Sequence, residues 1–291
     1  MDLIGKGQRH WQEFHNVSDI LDFITNDKYI NPLSLTYSGA NPPTGKNPSS
    51  KRDHQEFLQT MELMRHGWPE GRDEISKYVT EIEKRVMGFL PVQEVQYDVQ
   101  GQWFDVGRYI TGEPEVYGSF VDTDVFENKK HGRIIHVVIN IDVSWQPFIR
   151  GAAGVTIIDA LERCGYRVVA DGIANSVNGW SSTGKLLETR IRVKNSDEAI
   201  QLDKLAFIFA HPNVLEHVLF PAWERLPRPI QEIYNFHHSY GYIGDVPQED
   251  RGDIYVESSI GSYNAGIEEV AKYVLNVLKQ NGIKVEEASH G

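Results

Sequence analysis

One cysteine, Cys164, stands in 291 residues, so no disulfide can form within the chain. Its place at the end of an apolar helical stretch reads as a small core residue, and a reducing cytoplasm is the expected compartment. Long hydrophobic runs are missing too. No stretch approaches the ~20 apolar residues that a membrane span needs, and the opening MDLIGKGQRHWQEF has no apolar signal core. Positive charge is scarce: 29 Lys and Arg face 41 Asp and Glu, a formal charge of -12, and the basic runs are short. That balance opposes attraction to phosphate backbones and anionic lipid, which argues against nucleic acid and membrane as partners. Internal repeats, low-complexity segments and a complete catalytic motif are also lacking.

What is present is material for a core, with 40% hydrophobic residues. Spacing and punctuation predict a helix over 18–26 capped by Ser18, then a loop dense in Pro, Gly, Asn and Ser. Two further helices are predicted over 50–65, with Ser50 and Asp53 as a capping box, and over 70–87, separated by His66-Gly67-Trp68-Pro69. Phe57, Met61, Met64, Ile75, Val79, Ile82 and Val86 recur at helical spacing and are assigned to the core. VQEVQYDV and VYGSFVDT read as a small β-extension packing on a main sheet, with Asp105, Arg108 and Glu113 as an ion-pair cluster.

From Arg133 the pattern is that of an α/β unit: a buried strand, a helix over 151–163 and a strand over 166–171 ending at Asp171. LLETRIRVK (186–194) alternates as an edge or half-exposed strand, with Leu187, Thr189, Ile191 and Val193 on one side. Helices over 197–210 and 212–226, a strand over 254–256 and a helix over 265–280 follow. The expectation is a mainly parallel sheet flanked by helices, divided into 1–128, a helical region with the β-extension, and 129–291, the α/β domain.

The first strand of that unit runs into Asp142-Val143-Ser144-Trp145-Gln146, which puts a carboxylate at the carboxyl edge of a sheet, where ligands collect in open α/β folds. Asp142 and Ser144 supply hard oxygen donors suited to Mg2+ or Mn2+, and Gln146 adds an amide oxygen. The alternative is turn chemistry, with both side chains bonded to nearby backbone N–H groups. Glu257, after IYV, and Asp171 are further acids expected at this edge. G-x-x-x-x-G-K (179–185) spells a phosphate loop, but Leu186 replaces the Ser/Thr and strand alternation follows, so a hairpin connection is the reading. His237 and His238 sit in an aromatic loop; neighbours on an extended chain point apart, which favours packing over a shared site.

The strand ending in D-x-S, with the helix and GYRVVADGIA that follow, resembles the von Willebrand factor A-type domain, whose metal site begins Asp-x-Ser-x-Ser. Asp142 and Ser144 match, and Gln146 departs. WFDVGRYITGEPE, RGAAGVTIIDALERCGYRV and the overall length resemble an uncharacterised family of tailed-bacteriophage proteins with a degenerate A-type-like domain. The resemblance implies an α/β fold, a divalent-metal site of Asp142, Ser144 and, in the place of a later acid, Glu257, and action in the cytoplasm of an infected host.

Three functions stand open. The favoured one is an intracellular binding protein that engages a protein partner through its upper loops. The second is a metal-dependent hydrolase or phosphoryl-transfer enzyme using Asp142, Asp171 and Glu257. The third is self-assembly as a virion component.

Overall fold

The computed structural model describes residues 2–6, 9–25, 51–86, 95–100, 103–120, 133–142, 146–178, 185–234, 246–260 and 266–283. Its frame is a six-stranded sheet of β1 (Asp2–Lys6), β2 (Arg9–Phe14), β6 (Ile134–Asn140), β7 (Arg167–Val177), β8 (Leu186–Lys194) and β9 (Ile254–Val256), in the order β1-β2-β8-β7-β6-β9. The pairings β2·β8, β6·β7 and β6·β9 are parallel; β1·β2 and β7·β8 are antiparallel. This mainly parallel sheet with flanking helices is the α/β class that the strand and helix spacing predicts.

Register assigns the two faces. Ile135, Val137 and Ile139 align with Val168, Ala170 and Gly172, and Gly172 with Ile191, so these side chains share one face. Helix α5 (Pro147–Arg163) packs on that face and is buried along most of its length, with Ala152, Ala153, Ile157 and Ile158 at zero exposure. Each Ile or Val taken fully out of water there is worth roughly 1.5–3 kcal/mol. The small residues of RGAAG explain how close the helix comes. A Cβ on Gly154 would stand 2.3 Å from Ile139 Cδ1, so with glycine there Ile139 keeps its place as α5 settles onto β6.

Helices α3 (Pro69–Val86), α6 (Leu202–Ala210) and α9 (Ile267–Gln280) complete this side, α3 packing against the other two and α5. The seven assigned positions from Phe57 to Val86 are all buried, those of α2 (Lys51–His66) included. Gly67 ends α2 at φ 92, and Cys164 is buried behind α5.

Several expectations need correction. Helix α1 (Val17–Thr25) is capped by Asn16, whose Oδ1 accepts from Asp19 N at 2.8 Å, and not by Ser18. The predicted 212–226 helix is a wider turn over Val214–Leu219 followed by the short α7 (Phe220–Glu224), and α8 (Arg228–Tyr234) was not foreseen. β8 is interior, because β1 and β2 extend the sheet beyond it. The hydrophobic cluster consequently crosses the expected division at 128/129: Phe14, Ile75 and Val86 belong to the same core as Ile139 and Leu187.

The extension forms its own antiparallel sheet, β3 (Val95–Asp98), β5 (Tyr117–Phe120) and β4 (Trp103–Phe104), with the single turn α4 (Val106–Ile110) between β4 and β5. Asp105 caps α4 by accepting from Arg108 N at 3.0 Å. Arg108 lies over the Tyr97 ring at 4.0 Å and pairs with Glu113, so that pair of the expected ion cluster is present, while Asp105 takes the Arg108 backbone N–H and the Tyr97 hydroxyl instead of the guanidinium. Among the described residues no helix is long and apolar enough to cross a membrane.

Candidate functional site

Two polar centres stand out, one at the carboxyl rim of the sheet and one on the face opposite α5. At the rim, β6 ends at Asn140 between β7 and β9, and Asp142 follows, 2% exposed. Asn140 Oδ1 accepts from Asp142 N at 2.8 Å, and Asn140 Nδ2 donates to the Tyr255 hydroxyl at 3.0 Å. Asp142 Oδ1 accepts from Asn175 N at 3.3 Å, while Oδ2 has no hydrogen-bond partner among the described residues. Burial pushes the Asp142 carboxyl up to about 7, against the pull of the Asn175 N–H, the Arg150 charge and Asn140. Arg150, buried beside it on α5, is brought down to about 10 by the same desolvation, with Asp142 opposing.

Glu257 follows β9, and the pairing of Ile139 with Val256 sets both acids at the same end of neighbouring strands. Glu257 is exposed and accepts from Ser259 Oγ at 2.8 Å. Ser144 lies outside the described residues, as do His237, His238 and residues 179–184 of the phosphate-loop-like stretch; Gln146 precedes the first turn of α5.

Asp171 belongs elsewhere. The strand expected to end at Asp171 runs on to Val177, which leaves the residue in mid-sheet on the opposite face, at zero exposure. His136 Nε2 lies 2.6 Å from its Oδ2, Arg190 Nη1 3.5 Å from Oδ2, and Arg192 Nε contacts Oδ1. Burial alone would raise this carboxyl, but the hydrogen bonds from His136 and Arg192 and their charges outweigh it and hold it below the ordinary value. Two guanidinium groups and an imidazole thus already claim Asp171. Among the described residues no three His, Cys, Asp or Glu side chains group so as to hold a metal ion.

The face that carries Asp171 is a second centre that the sequence reading did not find. β2 places Trp11 beside Glu188 and Glu13 beside Arg190, and β7 places Asn175 and Ile173 on the other side of the same two residues. The segment from Val246 to Asp253 crosses this face. Val246 packs on Val138 and Ile173, and Asp253 exchanges hydrogen bonds with the His136 backbone at 2.9 Å. Gly252 makes the crossing possible: its φ is 66, and a Cβ would stand 2.7 Å from His136 O.

Beneath the segment lies a cavity of about 350 Å³ lined by Trp11, Glu13, Glu188, Arg190, Glu249 and Asp250, among others. Glu188 is 1% exposed, although strand alternation pointed it to solvent. Burial and the neighbouring Asp250 push its carboxyl up to about 7, with Arg190 and Arg9 opposing. The signal available in sequence was the alternation W-x-E against E-x-R-x-R, legible only once β2 and β8 are known to pair.

The chain belongs to the family described as Domain of unknown function (DUF7192), whose model matches residues 6–285. No curated protein and no solved structure matches it.

Proposed function

We propose that this chain is a protein-binding domain that engages a partner through the face of the β3-β5-β4 extension. One observation carries the reading: of the eight exposed large hydrophobic residues among those described, six (Val99, Phe104, Val106, Tyr109, Ile110 and Tyr117) fall within this short segment. The Phe104 ring centroid lies 5.3 Å from those of both Tyr109, tilted against it, and Tyr117, edge to face, and Arg108 lies beside them over Tyr97. Clustered exposed aromatics with an arginine are the composition of interface hot spots rather than of scattered surface apolars. With a formal charge of -12 on each copy, self-association meets long-range repulsion, which favours a partner protein with a neutral or basic surface. The resemblance to phage proteins supports a setting in the infected cell, and Asp142 at the rim of a central strand supports the A-type-like reading.

A photo-crosslinking residue placed at Tyr109 tests the proposal in the source cell. An adduct with another protein at Tyr109, absent at Lys77 on α3, is the expected outcome. Adducts with a second copy would mean self-assembly instead, and none at either position would overturn the proposal.

A divalent ion at the rim is a second reading, favoured by the buried Asp142 Oδ2 that lacks a partner among the described residues. Asp142 and Glu257 would hold it with Ser144, and the buried Arg150 guanidinium works against it. Millimolar Mg2+ or Mn2+ should then raise Tm, and Asp142→Ala should remove the rise. No shift in the wild type discards the ion and leaves the extension reading intact.

A further inference from the structure

We infer that the cleft between β2, β8 and the 246–253 segment is a binding site for a cationic group, a guanidinium or ammonium, which it holds between Glu13 and Glu188, beside the Arg9–Trp11 pair. The inference is independent of the extension. Its first support is the cavity, large enough at about 350 Å³ for such a side chain or small amine.

The second is an unmet demand for positive charge on its walls. The Glu13 side chain makes no hydrogen bond or ion pair among the described residues, although it lines the cleft. Glu188 accepts from Arg190 Nη2 at 3.2 Å through Oε1, but its buried Oε2 has no hydrogen-bond partner among the described residues, and Arg9 Nη2 stands 4.0 Å from it. A buried carboxylate oxygen without a donor is costly, and a ligand N–H that reached it would relieve that cost.

The third is that the site already displays the chemistry with a residue of its own. Arg9 lies over Trp11 at 4.8 Å and pairs with Glu249 and Asp250. Aromatic face plus carboxylates is a guanidinium cradle. Arg9 and Arg190 satisfy Asp250 and one oxygen of Glu188, which leaves Glu13 and the other oxygen for a second cation. Uncharged ligands such as sugars would leave the surplus of acid unbalanced.

Such a cation could be a free amine or a basic residue of a protein, and the test separates these. Agmatine and an end-blocked Gly-Arg-Gly peptide are titrated into the full chain by calorimetry, beside end-blocked Gly-citrulline-Gly and glucose. The guanidinium probes should bind and the two uncharged ones should not; preference for the peptide points to a protein ligand and preference for agmatine to a small amine. Glu13→Gln, at a half-buried position that leaves the core alone, should weaken binding about tenfold, which is 1.4 kcal/mol. Glu188→Gln should do the same where its Tm shows a folded chain. Because Asp250, Arg9, Arg190, Glu13, Glu249 and His136 surround Glu188, binding should also release protons near neutral pH. Equal binding of the citrulline peptide, or unchanged binding in Glu13→Gln, overturns the inference.

Discussion

Arg150 reaches from α5 to the rim and donates to the carbonyl oxygen of Asp142 at 2.5 Å, so a buried guanidinium holds the backbone of the residue whose carboxyl it also faces. Its other Nη donates to Phe209 O at 3.1 Å, which ties the end of β6 to α6. Arg150→Met would strip donors from two buried carbonyls and remove the counter-charge of Asp142. The expected loss is about 3–5 kcal/mol in urea unfolding. Adding Asp142→Asn should recover part of it, and a double variant no more stable than the single one would show that the charge of Asp142 is not involved.

Two buried carboxyls set the pH dependence. Asp142 and Glu188 rise from ordinary values of 3.8 and 4.5 to about 7. The folded chain therefore binds more protons than the unfolded chain between roughly pH 4 and 7, and stability from these groups falls as pH rises through that window. Unfolding measured at pH 5 and pH 7.5 should show the wild type losing more stability than Asp142→Asn over that interval. Parallel curves for the two proteins would refute the shift.

Asp171 acts with the opposite sign. Its carboxyl is held below the ordinary 3.8, so its contribution is present above that value and lost as acid protonates it in the fold. Asp171→Asn leaves Arg190, Arg192 and His136 facing one another across β8, β7 and β6. A cost of about 3–5 kcal/mol at pH 7, shrinking in acid, is expected from thermal unfolding.

A buried polar chain joins the start of the sequence to the sheet. Trp223 Nε1 donates to Thr189 Oγ1 at 2.7 Å, and Thr189 Oγ1 donates to Gln12 Oε1 at 3.2 Å. Thr189→Val keeps the shape and removes both of these bonds, which should cost about 1–3 kcal/mol. Tryptophan fluorescence should report the altered setting of Trp223; an unchanged spectrum and Tm would show that the chain carries no weight.

The sequence made the helices and central strands legible because their signals are local. Met61 and Met64, or Ile75, Val79 and Ile82, announce a helix by spacing alone, and RIIHVVIN announces a buried strand. β2 gives no such signal: RHWQEF has too few apolar residues, and it becomes a strand by lying parallel to Leu186–Ile191. Missing β2 has two consequences. β8 reads as an edge or half-exposed strand, and nothing local marks Glu188 as the residue that β2 and Asp250 enclose. Asp171 was misplaced for a related reason. The polar Asp-Gly pair reads as a turn, whereas two arginines and a histidine that bond Asp171 allow the strand to continue through it.

The bond between Thr189 and Gln12 spans 177 positions of the chain. At the usual pace of synthesis, about 5–20 residues per second, Trp11 and Phe14 emerge from the ribosome roughly 10–30 s before the strand that shelters them. During that interval a nascent β2 can pair only with β1, and the edge that later meets β8 stays open, which makes this early segment the natural client of a chaperone and the place where a truncated product would aggregate first.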